Sequence, residues 1–482
     1  MTLYGQTTSD IMKIHELRLK NFRKFVDTRF CFNTKSNVTV LIGDNATGKS
    51  AILNALSIMM GSYLLDFKVP QAARHIRKDE VRIAQIKTGQ IVSLEPQWTD
   101  GIQLSCIGTL SEVAPNDTTL SKPFLWSREL TSEEGKTTRI NAKKIAKAGR
   151  EARIKVENGE EVLLPIISYY GTGRLWHKKQ DIKLSKPDSR TVGYRDCLDP
   201  ASNHRLFFKW FSRLEQAGVQ KNKKFDVLEA VRTAVKTCIP NCENFYFDLE
   251  LQELMVEFSD GTLYSFDNLS DGYRNMLAIV ADIAHRAARL NPQLGNQAAT
   301  LTPGIVLIDE IDLHLHPKWQ REIVNSLRSA FPKVQFIVST HSPFIIQSLQ
   351  RGEVIDLNSG ENLAPEFEFN DDASNNIAQT AQPSPSKSYS ERSIEDIVEE
   401  VMGVNIPSRS ARLERMYEVA KRYYQVLEES ENATEEEKNI LKQKLDELSA
   451  PFSDSGDIAY YAFLEMERLA AGLGKSKVKD EE

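Results

Sequence analysis

Residues Leu41 to Ser50 read LIGDNATGKS and directly follow the β-branched run NVTV. Few short stretches constrain a fold more. Glycines at 43 and 48 let backbone N–H groups approach a phosphate with no Cβ in the way. NVTVLIG reads as a buried strand and SAILNALSIMM has helical spacing. The loop therefore sits at a strand-to-helix turn, the context such a motif requires. Asp44, Asn45, Ala46, Thr47 and Ala51 complete the cradle. Lys49 is expected to reach the β and γ oxygens, and Ser50 to ligate Mg²⁺, a hard cation that prefers oxygen. The helix N-terminus adds favourable partial charge. ATP and Mg²⁺ are the expected cofactors. The plain alternative is a glycine-rich turn before an ordinary helix.

A second signal lies far downstream. GIVLIDE places Asp309 and Glu310 where an apolar strand ends. Adjacent buried acids without a partner are costly, and a bound cation removes that cost. Asp309 is expected to serve the Mg²⁺, and Glu310 to polarise an attacking water. About thirty residues earlier stands LSDGYRNML, in which Ser270 or Asp271 could be no more than a helix N-cap. KVQFIVSTHS is another buried strand and ends near His341. His314 and His316 in DLHLHP alternate, and a structural turn is favoured because no third metal ligand is near.

Alternating strands and helices indicate an α/β core. Lys13 to Phe32 alternates apolar and polar residues and reads as paired strands. Residues 74–160 are polar, irregular and charged, which suggests an insertion or lid. LPIISYY reads as a strand, RLFFKWFSRLEQAG and FDVLEAVRTAVKTCI as amphipathic helices, and LMVEFSDGTLYSF as a hairpin turning at Asp260-Gly261. DGYRNMLAIVADIAHRAARL and PKWQREIVNSLRSAF each read as one helix. The expected domains are 1–73, an N-terminal lobe with the phosphate loop; 74–160, the insertion; 161–357, the C-terminal lobe; 358–392, a flexible linker rich in Asn, Ser, Pro and Gln; and 393–482, a helical partner-docking domain. In the last, Leu413, Met416, Ala420, Tyr423 and Leu427 form a short seam. Thr434 with Glu437 forms a capping box, and Leu441, Leu445 and Leu448 continue the stripe.

Composition narrows the functional classes. With 482 residues and a net charge of −6, the whole chain is no indiscriminate polyanion binder. The basic run from Arg139 to Lys155 could track nucleic-acid phosphates, but a solvated helical face explains it nearly as well. No signal pattern or membrane-length apolar run is read, so a cytoplasmic protein without membrane partners is expected. Five scattered cysteines suggest reduced thiols. Cys238 and Cys242 have ligand-like spacing, but no second pair follows, and buried thiols are favoured over zinc.

The order of phosphate loop, LSDG, LIDE, IDLHLHP and VSTHSP resembles the ABC-type ATPases of the SMC, RecF and OLD group, over residues 12 to about 345 without the insert. The resemblance implies an ABC-type P-loop ATPase head, a mixed sheet with flanking helices, carrying an inserted polar region and a small C-terminal helical domain. It implies that Ser270 and Gly272 close on ATP bound to a partner subunit. Asp312 matches the dimer-contacting aspartate, His341 the switch histidine, and Arg23 in LKNFRKF the region placed beside the adenine. Lys49, Glu310 and His341 would carry catalysis. Two departures stand out. The common signature is Leu-Ser-Gly-Gly-Gln, whereas Asp271 and Tyr273 intervene here, which fits the OLD-like branch and speaks against the transporter branch. No residue matches the glutamine loop well, Gln85 and Gln90 being candidates.

The layout as a whole, with YYGTGRLW, the insert and a short helical end, resembles the PtuA-type ATPases of Septu anti-phage systems, which occur alone or with retrons. That implies a homo-oligomer larger than a dimer and a separate HNH nuclease partner of PtuB type docked on the helical part. In a retron setting it implies a reverse transcriptase and msDNA as well. No Asp-x-Asp pair with a preceding catalytic glutamate follows His341, so no nuclease site is expected in this chain. The rival readings are a RecF-type repair ATPase that binds DNA directly, a transporter motor, and a scaffold that binds ATP without hydrolysing it.

Overall fold

The structure is a computed structural model that describes residues 12–88, 91–110, 123–175, 189–200, 204–358, 388–403, 411–431, 433–449 and 458–474. The chain divides into two units, Met1–Met402 and Gly403–Glu482.

The described residues of the first unit form four sheets. Strands β1 (Lys13–Phe22), β2 (Phe25–Cys31), β6 (Ile102–Thr109) and β7 (Phe124–Leu130) form an antiparallel sheet in the order β2-β1-β6-β7. A parallel sheet of order β14-β3-β13-β12-β8 comprises β3 (Val38–Ile42), β8 (Ile166–Tyr170), β12 (Gly304–Ile308), β13 (Val334–Ser339) and β14 (Val354–Asp356). All residues of β3, β8, β12 and β13 are buried, because helices or a second sheet cover both faces. This explains their unbroken apolar sequences. A small antiparallel sheet joins β9 (Cys242–Asp248), β10 (Glu253–Phe258) and β11 (Leu263–Ser265), and among the described residues β4 (Ile83–Thr88) pairs only with β5 (Ile91–Pro96).

Helix α1 (Lys49–Met60) lies between the two larger sheets and packs against β1, β6 and β7 on one side and β8, β12 and β13 on the other. Only Ser50 of this helix is exposed, so it is apolar nearly all round rather than amphipathic. Trp126 donates from Nε1 to the Met59 carbonyl at 3.1 Å and locks the antiparallel sheet to the end of α1.

The other face of the parallel sheet is covered by α3 (His204–Lys221), α4 (Asp226–Cys238), α5 (Asp271–Leu290) and α8 (Ile323–Ala330), which share one apolar core with it. Shorter helices α6 (Ala298–Leu301), α7 (Pro317–Gln320) and α9 (Pro343–Gln347) link the strands, and α2 (Lys143–Glu157) lies on the antiparallel side.

In three places the organisation differs from the sequence reading. Residues 74–160 do not stand apart: β6 and β7 belong to the same sheet as β1, with Ile102, Leu104, Cys106, Trp126 and Leu130 in its core. PKWQREIVNSLRSAF is two helices, α7 and α8, separated at Arg321-Glu322. Helix α10 (Ile394–Met402), taken as part of the C-terminal domain, instead packs Ile397 and Val401 into the core of the first unit. Most of the 358–392 linker, and Gln90, lie outside the described residues.

The second unit holds α11 (Ala411–Glu431), α12 (Glu435–Ser449) and α13 (Ile458–Ala470) around Tyr423, Val426, Leu427, Leu445, Leu464 and Leu473. The Thr434–Glu437 cap forms, with the Thr434 N–H and hydroxyl donating to Glu437 Oε2 at 2.9 and 2.7 Å. The side chains of Leu413 and Met416 lie outside the described residues. Among the described residues no helix is long and apolar enough to cross a membrane.

In the first unit, a buried ion pair on α5 ties that helix to the parallel sheet. Asp282 on α5 accepts from Arg286 Nε and from the Tyr170 hydroxyl, both at 2.8 Å, and Arg286 donates onward to the Gly193 carbonyl at 2.7 Å. Burial pushes the Asp282 carboxyl up, but Arg286 and His285 more than reverse this and hold it well below the usual carboxylate range. A depressed folded pKa stabilises above the unfolded value and loses that contribution only as pH falls through the folded one. Asp282→Ala should therefore lower stability by about 3–5 kcal/mol, because it leaves the Arg286 cation buried and unpaired. A denaturant midpoint equal to the wild type at pH 7 would contradict this.

Candidate functional site

Strand register assembles the site. Along the parallel sheet Leu41 pairs with Ser339 and Ile308 with Val338. The C-terminal ends of β3, β13 and β12 therefore lie side by side at one sheet edge, each about 4.8 Å from the next. The residues that follow these ends are Gly43–Ser50, Thr340–His341 and Asp309–Glu310. Ligands of open α/β sheets bind outside such carboxyl ends.

The loop from β3 to α1 has the backbone a phosphate cradle needs. Gly43 and Gly48 stand at φ 140° and 106°, and Ala46 at 65°. A Cβ on Gly48 would lie 2.5 Å from the Phe25 ring. The turn between β1 and β2 therefore rests directly on the loop, and Lys24 adds an Nζ bond to the Ala46 carbonyl at 2.9 Å. Lys49 is buried, and its Nζ donates to the Gly43 and Asp44 carbonyls at 2.7 and 2.9 Å. Burial lowers its pKa, while Asp309, Glu310, Asp44 and Asp312 act in the opposite sense. One cation thus faces four carboxylates, a surplus of hard oxygen donors that suits Mg²⁺ beside the exposed Ser50. Among the described residues no group of three or more His, Cys, Asp or Glu side chains could hold a metal. The fit is thus to an ion held by one or two protein oxygens and a phosphate, not by a protein cage.

The acidic pair is held by a residue the sequence reading did not single out. Ser339 donates to Asp309 Oδ1 at 2.5 Å and accepts from the Glu310 N–H at 2.8 Å. Glu310 has φ 48°, a left-handed conformation that a non-glycine residue adopts only when its surroundings impose it. Thr340 donates to Asp312 Oδ1 at 2.6 Å, and the His341 N–H reaches the same oxygen at 3.4 Å. The Asn358 side chain accepts from the Asp44 N–H at 3.1 Å. The sequence signal for Ser339 and Thr340 was their place in VSTHSP. Asn358 carried none, since it opens a low-complexity stretch.

Arg23 is placed differently from its neighbours. It pairs with Glu80 at 3.1 Å, and Glu80 also binds Arg74 at 2.8 Å. Lys24 and Phe25, the next two residues, touch the loop. Gln85 lies on β4.

Ser270 and Gly272 begin α5. A Cβ on Gly272 would lie 2.4 Å from the His314 carbonyl, so only glycine fits there. Ser270 is the exposed N-cap and lines a cleft of about 450 Å³ that none of residues 43–50 lines. His316 accepts from the Lys318 N–H at 3.2 Å, consistent with a turn. Burial raises the Cys238 and Cys242 thiols, to about 12 and about 11. In the basic run, Arg139 and Arg150 both pair with Asp66, Arg153 with Glu157 and Lys147 with Glu151, which dilutes the free positive charge of α2.

The comparisons with known proteins point the same way. Two family models match: one described as an AAA domain, over residues 16–243, and one described as "AAA domain, putative AbiEii toxin, Type IV TA system", over residues 162–347. The Retron Vc95 probable ATPase of Vibrio cholerae serotype O1 biovar El Tor is 26% identical, over 73% of this chain and 76% of its own. Septu protein PtuA of Bacillus mycoides (strain KBAB4) is 46% identical over 100 residues, which are 20% of this chain and 13% of that protein. The chain is thus similar to a retron probable ATPase and to PtuA, and carries two matches to AAA domains. The OLD nuclease of Thermus scotoductus (strain ATCC 700910 / SA-01) is 25% identical over 71% of this chain and 61% of its own.

Gly48→Ala tests the cradle. Displacing Phe25 and straining the loop by about 1–3 kcal/mol should weaken ATP binding roughly 5- to 150-fold. Fluorescent-nucleotide titration checks this, and wild-type affinity in the variant would contradict it.

Proposed function

We propose that this chain is an ATP-binding and ATP-hydrolysing switch subunit of an anti-phage defence complex. Its active centres are composite. One protomer supplies the loop from Gly43 to Ser50 with Asp309, Glu310 and His341, its neighbour supplies Ser270 and Gly272, and Asp312 contacts across the pair. The observation that carries this reading is the exposure of Ser270 at the N-terminus of a 20-residue helix, in a cleft its own phosphate loop does not line. A helix N-terminus with an exposed hydroxyl is suited to an anion, and a second copy would bring one.

In each centre Lys49 and the loop amides would hold the triphosphate, and Ser50 and Asp309 the Mg²⁺, which supplies charge neutralisation when bound. Glu310 is already aimed by the Ser339 bond to its backbone, and would orient the water. Likeness to the retron ATPase and to PtuA supports a role beside other defence components. The partner is proposed to be an HNH nuclease docked on the second unit, where Ile440, Phe463, Met466 and Leu469 are exposed.

Glu310→Gln should retain ATP binding, lose turnover by about 100-fold or more, and form an ATP-dependent dimer in light scattering. Turnover at the wild-type rate would overturn the role of Glu310. Phe463→Glu with Met466→Glu should abolish co-purification with the nuclease while leaving ATPase activity intact. Retained co-purification would remove the second unit as the docking site.

A further inference from the structure

The ribbon formed by β4 and β5 is unlike the rest of the first unit. Among the described residues it pairs with no third strand, and isolated two-stranded hairpins are marginal in water. Its register puts Ile83, Gln85 and Lys87 on the same face as Pro96, Leu94 and Val92. All six are exposed, with Leu94 at 64%, Ile83 at 55% and Val92 at 53%. An apolar face this open on an unsupported ribbon calls for a partner surface.

The root of the ribbon identifies where it stands. Val81 bridges to Phe22, the Arg82 N–H donates to the Asn21 carbonyl at 3.2 Å, and the Arg23 N–H donates to the Glu80 carbonyl at 2.7 Å. Asn21 also bonds the Gln97 carbonyl on the returning strand. The ribbon thus springs from the same turn whose next two residues, Lys24 and Phe25, rest on the phosphate loop. Six residues per strand give it a reach of about 20 Å.

The cleft beside Ser270 has complementary chemistry. Its floor is aromatic: the Phe258 ring stands 6.0 Å from Tyr264 and 5.5 Å from Tyr273, edge to face in both cases. Its rim carries Asp260, whose carboxyl is held below the usual range by the hydroxyl and N–H of Thr262 and so is ionised at neutral pH.

We infer that the β4–β5 ribbon of one protomer docks in the Phe258–Tyr264–Tyr273 cleft of a second copy of this chain. Val92, Leu94 and Ile83 lie against the aromatic floor, and Lys87 faces Asp260. The inference rests on the composite-centre reading, in which one protomer's phosphate loop meets its neighbour's Ser270. That arrangement carries the ribbon, rooted beside the loop, to the cleft, which opens beside the serine. The contact acts as a clamp on the ATP-bound pair and makes closure depend on more than the nucleotide.

The test uses full-length chains carrying Glu310→Gln. Leu94→Cys and Thr262→Cys are introduced separately, the two proteins are mixed with Mg-ATP, and a short bismaleimide is added while light scattering monitors the dimer. A cross-linked pair is expected in the mixture with ATP, and in neither protein alone. Separately, Val92→Glu with Leu94→Glu should weaken the ATP-dependent dimer at least tenfold while leaving fluorescent-nucleotide binding unchanged. A dimer that forms without the cross-link, or that keeps its affinity when the ribbon is charged, overturns the docking and leaves the composite centre standing. Failure of any dimer to form with ATP overturns both.

Discussion

The site depends on a single constraint: three buried parallel strands must keep their register. With Leu41 opposite Ser339 and Ile308 opposite Val338, the Ser339 hydroxyl falls between the Asp309 carboxylate and the Glu310 amide. In these two-sided, fully buried strands a slip by one residue would turn every side chain to the opposite face and separate the acids from Lys49. The apolar runs in β3, β12 and β13 thus hold functional groups at fixed spacing as well as filling a core. The left-handed backbone of Glu310 is tolerated because Ser339 holds its amide.

A second layer of control comes from the antiparallel sheet. The β1–β2 turn sits on Gly48 through Phe25, and Glu80 anchors Arg23 and Arg74 beneath it. Glu80 is fully buried, so its two guanidinium partners are needed to offset the loss of solvent. Arg74 reaches Ser57 of α1 at 2.8 Å. The loop, the helix that follows it and the root of the ribbon are therefore mechanically joined, which gives occupancy of the loop a route to the ribbon.

Much of the site was legible because its signals are local. The phosphate loop, the strand-end acids and the VSTHSP strand each combine a short motif with an apolar run of the right length. What escaped the sequence is made by distant pairing. Strand β6 finds β1 some ninety residues away and β7 extends the sheet through β6, pairings that no local pattern announces, so residues 74–160 read as an insertion. Ser339, Glu80 and Asn358 acquire their partners only when the sheets close. The break at Arg321-Glu322 and the seat of α10 are likewise tertiary outcomes that periodicity cannot report.

The central claim is that each active centre is shared between two chains. It is tested most directly by complementation: a Lys49→Ala chain mixed in equal amount with a Ser270→Arg chain, each inactive alone, with ATP turnover measured. The account predicts recovery to about a quarter of wild-type activity, since half of the pairs are mixed and each of these carries one intact centre. No recovery, with mixed pairs shown to form, would contradict it.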